Sequence, residues 1–343
     1  MRTDDFYYEL PKELIAQAPS SERDKARLMV VERQGTGIEH SCFAALPNYL
    51  RPGDLLVLND TKVLPARLLG RRKQTGGRVE ILLLSPVGEA RWRVLMKRSK
   101  RLKVGEELVF GQGELVGTLV AKEDEGKGLV DFHSEAAFLE VLERVGQVPL
   151  PPYISREPTD WDRERYQTVY AQRLGSAAAP TAGLHFTPQL LETLRAQGVG
   201  TAFLTLHIGL GTFRPVQTER IEDHRMHSEF FQVDESCAQA IARAKEEGGR
   251  VIAVGTTVVR ALEATAKILG EVKAYSGWTD IFIYPGFEFQ VIDGLITNFH
   301  LPCSTLLMLV CAFGGHQRIL EAYRVAVREK YAFYSYGDGM LII

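Results

Sequence analysis

The sequence predicts an α/β protein, an α/β layered core domain with an inserted small β-barrel. Three observations carry that expectation. Six β-rich runs follow one another between Pro65 and His133 with no helical stretch among them, and strands alternate with helices on either side. A Pro-rich link, Val148 to Pro158, cannot continue a helix and marks the return from one rhythm to the other. A length of 343 residues fits two units, since one core organises roughly 100–200 residues.

Taken in order, ARLMVVER and DLLVLND read as strands, with a short helix from Phe43 to Leu50 between them. The barrel strands are RLLGRR, VEILLLSP, RWRVLMKR, EELVFG, ELVGTLVAK and GLVDFHS, parted by turns such as Thr75-Gly76-Gly77. Barrels of this size leave one face and its loops for ligands, among them single-stranded or loop RNA. Beyond the link, VGTAFLTLHIG, RVIAVG, TDIFIYP and LITNFH read as strands. Trp161 to Leu174, Pro188 to Gln197, Asp234 to Glu247, Thr257 to Leu269 and Gln317 to Lys330 read as helices. Asp234 suits an N-cap and Gly248-Gly249 a C-terminal stop. The expected division is residues 1–61 and 151–343 for the α/β domain and 62–150 for the barrel.

Composition excludes several classes. With 45% hydrophobic and 24% charged residues the chain is neither disordered nor fibrous. The longest apolar run near the C-terminus, Leu306 to Phe313, falls far short of the ~20 residues of a membrane helix. Asp4 and Asp5 stand where a secretory signal carries positive charge, so a cytoplasmic location is expected. Cys42, Cys237, Cys303 and Cys311 lack CxxC spacing and read as small core residues.

The net charge of −2 conceals a segregation. Lys62 to Gly105 carries +11, leaving −13 on the remainder. Such a basic segment attracts a polyanion while the rest repels it, which orients as well as binds. A solvated strand face is the plainer alternative.

In an open α/β sheet, ligands bind beyond the carboxyl ends of the strands. Three such turns are rich in polar residues. The first runs His207-Ile208-Gly209-Leu210-Gly211-Thr212-Phe213-Arg214, where glycines allow close backbone approach and Arg214 offers a planar donor fork. A dinucleotide fingerprint fails there, because Arg214 occupies the third glycine position. The second, Thr256-Thr257, opens a helix whose free amides suit a carboxylate or phosphate; a plain cap, with Arg260 and Glu263 as an exposed ion pair, is the other reading. The third carries Asn298, His300, Pro302, Ser304 and Thr305. His224, His227 and Glu229 lack metal-ligand spacing and suit hydrogen bonding or proton transfer better. The aromatic C-terminal run YAFYSYGDGMLI reads as core, or as a stacking wall for a purine.

At full length the chain resembles the S-adenosylmethionine:tRNA ribosyltransferase-isomerases of queuosine biosynthesis. The resemblance rests on FYYELPKELIAQAP, LNDTKVLPARL, DRERYQTVYA, PTAGLHFT, HIGLGTFRPV, HSEFF, VGTTVVRALE, PGFEFQVIDGLITNFHLPCSTLLMLVCAF and YAFYSYGDGML, in that order. Gly339 stands where the family pattern usually has alanine. The resemblance implies transfer of the ribosyl part of S-adenosylmethionine to 7-aminomethyl-7-deazaguanine at a tRNA wobble position, isomerisation to epoxyqueuosine, and release of adenine and methionine. S-adenosylmethionine is then a consumed substrate, and no bound cofactor or metal is expected. His207, Glu229, His227 and His300 are the acid/base candidates. Gly209, Gly211, Thr212, Arg214, Thr256, Thr257, Arg260 and Asn298 are expected around the nucleoside and its carboxylate. Arg71, Arg72, Lys73, Lys97, Arg98, Lys100 and Arg101 are expected on tRNA phosphates, which position without reading sequence. The partners implied are that tRNA and S-adenosylmethionine, with no membrane; a monomer is expected.

Overall fold

Five consecutive buried residues, Leu55–Asn59, can form a strand only where both faces are covered. The computed structural model, which describes residues 1–35, 37–97, 99–209 and 216–343, puts that strand within a large sheet. The chain enters through β1 (Arg27–Val31) and β2 (Ile38–Cys42), then a 3-10 turn over Phe43–Asn48 where a short helix is predicted, and reaches β3 (Leu55–Asn59). A short β4 (Thr61–Val63) leads into the barrel, whose strands are β5 (Arg67–Arg72), β6 (Arg78–Pro86), β7 (Arg91–Met96), β8 (Glu107–Phe110), β9 (Leu115–Lys122) and β10 (Lys127–His133). The six close in the order β10-β7-β6-β5-β8-β9, every pair antiparallel. Alternate residues, among them Leu68, Ile81, Val94, Leu108, Leu119 and Val130, fill its interior.

After the barrel come α1 (Phe138–Val145), which packs Val141 and Leu142 into the barrel core, α2 (Asp160–Arg165), β11 (Arg173–Ser176), α3 (Pro188–Ala196) and β12 (Gly200–Leu206). Next in the chain are β13 (Glu229–Val233), α4 (Glu235–Glu246), β14 (Val251–Val254), α5 (Thr256–Leu269), β15 (Tyr275–Thr279), β16 (Gly294–Asn298), α6 (Thr305–Gly314), α7 (His316–Arg328) and β17 (Gly339–Ile342). The large sheet runs β15-β13-β12-β3-β14-β16-β17-β1-β2. Its central strands β12, β3, β14 and β16 are mutually parallel. Leu55 and Val57 face helices α4 to α7, whereas Leu56 and Leu58 face α3 and the Phe43 turn, the two-residue alternation of a strand covered on both sides.

Two predicted elements are corrected. The helix from Trp161 to Leu174 ends at Arg165, where the chain passes into turns that bury Tyr166, Thr168 and Tyr170 alternately. Gln167 there donates to the Val63 carbonyl at 2.9 Å and accepts from its amide at 3.0 Å, imitating a ladder partner. TDIFIYP is not a strand beyond Thr279, since β13 begins at Glu229 opposite Thr279 and offers nothing further to pair with. Strands β2, β4, β11, β13, β15 and β17 and helices α1 and α6 are additions to the sequence reading.

Charge inside the barrel also differs from its sequence profile. The +11 segment folds against residues 106–133, which carry −5. Arg72 pairs with Glu106, Lys73 with Glu107 and Lys97 with Glu80, so these three are not free cations. Arg71, Lys100 and Arg101 are exposed and form no ion pair among the described residues. No helix of the described residues is long and apolar enough to cross a membrane.

Candidate active site

The parallel strands β3, β12, β14 and β16 end side by side, and the turns leaving them reach one edge of the sheet. Asn59, fully buried, ties that edge together. Its Nδ2 donates to the Leu206 carbonyl (3.0 Å) and to Thr257 Oγ1 (3.1 Å), while Oδ1 accepts from the amides of Leu206 (3.0 Å) and Thr61 (3.1 Å). Both donors and both acceptor positions of the amide are thereby used. Asn59 was not among the predicted site residues, although the LNDTK motif contains it.

His207 comes directly after β12. Its Nδ1 lies 2.7 Å from Thr61 Oγ1, and its ring stacks on Phe230 with centroids 6.0 Å apart. Gly175 backs the ring, and a Cβ at that position would sit 2.7 Å from it. Burial, followed by the charge of Arg173, pushes the His207 pKa below its ordinary value, so the ring is neutral at pH 7. Phe230 in turn meets the edge of Trp278, which is 64% exposed.

Glu229 and Arg260 are both buried and form an ion pair with each other. Glu229 Oε1 also accepts from the Gly209 amide at 2.8 Å, and Arg260 donates to the carbonyls of Ile281 (3.3 Å) and Thr279 (3.4 Å). This corrects two expectations for Arg260. Its guanidinium is bound within the protein instead of standing open to a substrate carboxylate, and it makes no exposed pair with Glu263. Glu263 is buried and accepts from the amides of Gln290, Val291 and Ile292. One turn into α5 for Arg260 and two for Glu263, both side chains meet the 279–292 segment.

Beside these groups a cavity of about 550 Å³, including its open mouth, has apolar walls from Ala178, Ala182, Ile208 and Leu306. Thr256, Thr257, Asn298, His300 and Ser335 supply its polar side. Helix α5 starts there, entered through Gly255 at φ 96°, a conformation that favours glycine, and its positive end suits an anion. Asn298, 2% exposed, donates through Nδ2 to the Tyr334 carbonyl at 3.1 Å and stands 3.3 Å from His185 Nε2. The Tyr334 carbonyl fixes which way the amide faces, and Oδ1 has no hydrogen-bond partner among the described residues. Burial lowers His185 to about 4 and His300 to about 3. His300 Nε2 is 2.8 Å from Thr297 Oγ1, its amide donates to Tyr323 Oη at 3.1 Å, and its carbonyl accepts from Tyr8. So enclosed, the His300 ring stays neutral at ordinary pH.

A second, larger cleft, of about 1580 Å³ with its open mouth included, lies between the barrel wall, the Pro149–Pro152 link and the strand-end turns. Leu82, Arg93, Leu95 and Lys127 line it from the barrel, and Gly209, His227 and Ser228 from the opposite side. Ala177 and Gly209 line the cleft while Ala178 and Ile208, their chain neighbours, line the cavity, so the two spaces adjoin. Ile208 and Gly209, where they adjoin, directly follow His207 in the chain. Arg93 and Lys127 were not predicted, and they pair with Glu123 and Glu125. The aromatic C-terminal run divides its duties: Tyr331 and Phe333 are core, while Tyr334 and Ser335 line the cavity. Gly211, Thr212, Arg214 and Arg98 lie outside the described residues. Among the described residues, no group of three or more His, Cys, Asp or Glu is arranged to hold a metal ion.

Comparison with known proteins agrees along the whole chain. Residues 3–342 match the family model described as queuosine biosynthesis protein. A protein named S-adenosylmethionine:tRNA ribosyltransferase-isomerase from Symbiobacterium thermophilum is 57% identical over 343 residues, covering 100% of both chains. One of the same name from Caldanaerobacter subterraneus subsp. tengcongensis is 54% identical, again covering 100% of each. The crystal structure of an S-adenosylmethionine tRNA ribosyltransferase from Thermotoga maritima is 40% identical, covers 99% of this chain and 100% of its own, and superposes with a TM-score of 0.58. On this full-length agreement, the chain belongs to the queuosine biosynthesis protein family.

Proposed function

We propose that this chain is an S-adenosylmethionine:tRNA ribosyltransferase-isomerase. It transfers the ribosyl moiety of S-adenosylmethionine to 7-aminomethyl-7-deazaguanine at the tRNA wobble position and isomerises it, giving epoxyqueuosine-tRNA, adenine and methionine. The single observation that carries the reading of the site is that the cavity and the cleft adjoin at Ile208 and Gly209, directly after His207 in the chain. In this reading the nucleoside takes the first and a base swung out of an anticodon loop takes the second.

In this reading S-adenosylmethionine is a consumed substrate. Its sulfonium acidifies the neighbouring ribose carbon, and a base must take that proton. His207 is the favoured base. Its ring is neutral, half-exposed and held at Nδ1, and when Thr61 accepts from Nδ1–H the Nε2 lone pair remains available. His227, exposed in the cleft, is placed to relay a proton to or from the attacking amine. Glu229 holds the Gly209 turn and Arg260 in place. The free amides at the start of α5 donate to the bound nucleoside, and the barrel takes the tRNA backbone.

The test is one reaction mixture of protein, S-adenosylmethionine and precursor tRNA, separated by chromatography. Free adenine and methionine are expected. S-adenosylhomocysteine instead would reveal a methyltransferase, and no turnover with tight tRNA binding would reveal a binding module.

A further inference from the structure

Arg23 and Arg165 share an opening on the far side of the Asn298 cavity, lined also by Pro19, Ser20, His185, Ser335 and Tyr336. Ser335 lines both spaces, and His185 reaches from this opening to Asn298. The two guanidiniums interlock through backbone. Arg23 donates to the carbonyls of Leu184 (3.0 Å) and Glu164 (3.1 Å), and Arg165, over the Trp161 ring, donates to those of Ser20 (2.6 Å) and Ser21 (3.5 Å). Each keeps donors beyond those bonds.

Neither arginine forms an ion pair among the described residues. Asp162, the buried acid of the same short helix, is occupied by Arg156 at 2.6 Å and 2.7 Å and by Tyr336 Oη at 2.7 Å. The Glu164 carboxylate is exposed and acts on Arg23 only at a distance. Arg165 Nε is buried with no partner among the described residues. Two half-buried like charges repel, and burial followed by Arg165 pulls the Arg23 pKa down. An anion with two acceptor oxygens would take up the remaining donors and remove the repulsion, as paired guanidiniums do when they bind carboxylate or phosphate. Arg165 belongs to the DRERYQTVYA motif, which the proposed chemistry leaves without a role.

We propose that Arg23 and Arg165 form an oxyanion site behind the cavity, filled in the working complex by a tRNA phosphodiester or by the carboxylate of S-adenosylmethionine. The site rests on the function proposed above and adds a second anchor to it.

The experiment uses the full chain and its Arg165→Gln and Arg165→Lys variants. It measures tRNA affinity against salt, the KM for S-adenosylmethionine, and the melting temperature. A phosphodiester predicts that Arg165→Gln weakens tRNA binding about tenfold and lowers the logarithmic salt slope by roughly 0.7–0.9, with the nucleoside KM unchanged. A carboxylate predicts an about tenfold higher KM at unchanged tRNA affinity. Unchanged values for both ligands at an unchanged melting temperature overturn the site. Should Arg165→Gln fail to fold, Arg165→Lys decides: it keeps the charge but loses Nε and the fork, so several-fold weaker binding of one ligand supports the site and no change overturns it. Since tRNA affinity is read without turnover, a wild-type protein that binds tRNA yet releases no adenine defeats the functional reading separately.

Discussion

Thr61 Oγ1 lies 2.7 Å from His207 Nδ1, joining the turn after β3 to the turn after β12. Two residues earlier Asn59 Oδ1 holds the Thr61 amide, so the same short segment fixes the sheet edge and aims the imidazole. The direction of the ring is therefore set by sheet packing, and the basicity of Nε2 by the bond at Nδ1.

That linkage predicts a pH profile. A base whose pKa is lowered is active above it and loses activity as pH falls through it, so the acid limb of kcat should lie below the ordinary histidine value near 6.5. His207→Gln should cost about 100- to 10,000-fold in kcat and abolish that limb. Thr61→Val should keep the limb at roughly fivefold to tenfold lower kcat. Steady-state rates between pH 5 and 8 check this, and an unaltered limb in His207→Gln assigns the titration elsewhere.

Asn298 Oδ1 is an acceptor awaiting a donor. Asn298→Leu should raise the KM for S-adenosylmethionine about tenfold or more, because the pocket loses that acceptor and the bond to Tyr334, while tRNA affinity stays unchanged. Equal effects on both substrates would point to collapse of the cavity wall.

The buried Glu229–Arg260 pair should behave as a unit. Removing either partner leaves an uncompensated charge and should cost about 3–5 kcal/mol in chemical unfolding. Glu229→Gln combined with Arg260→Met should be more stable than the sum of the single changes predicts. Strict additivity in that double-mutant cycle would show that the two do not interact.

Stability should fall on acidification. His185 and His300 sit near 4 and 3 in the folded protein, below the unfolded value near 6.5, so between those limits the unfolded chain binds protons that the folded one refuses. Their contribution is intact above about pH 6.5 and at pH 5 has shrunk by about 2 kcal/mol for each ring. Denaturation midpoints at pH 7 and 5 measure the drop, and His300→Gln should reduce it.

On the barrel, Arg71, Lys100 and Arg101 lack ion-pair partners among the described residues, whereas Lys97 is held by Glu80. Neutralising the three together should lower the salt slope of tRNA binding by roughly 0.7–0.9 for each phosphate that is no longer neutralised. Lys97→Gln alone should change it less. An unaltered slope in the triple variant would place the RNA on another surface.

Much of the fold and site was legible in sequence because it depends on local pattern. Period-two alternation from Arg67 to His133 can close only by burying one face, which defined the barrel strands, and polar residues after apolar runs marked Thr256, Thr257 and Asn298, which line one cavity. What sequence could not contain was pairing across distance. It showed a +11 segment but not the −5 stretch folded against it, and it placed Arg260 and Glu263 one turn apart without revealing that each is claimed by residues 279–292 or Glu229. Only the tertiary structure decided which charges are spent on holding the protein and which remain for a ligand, because a side chain's free donors depend on neighbours that lie far along the chain.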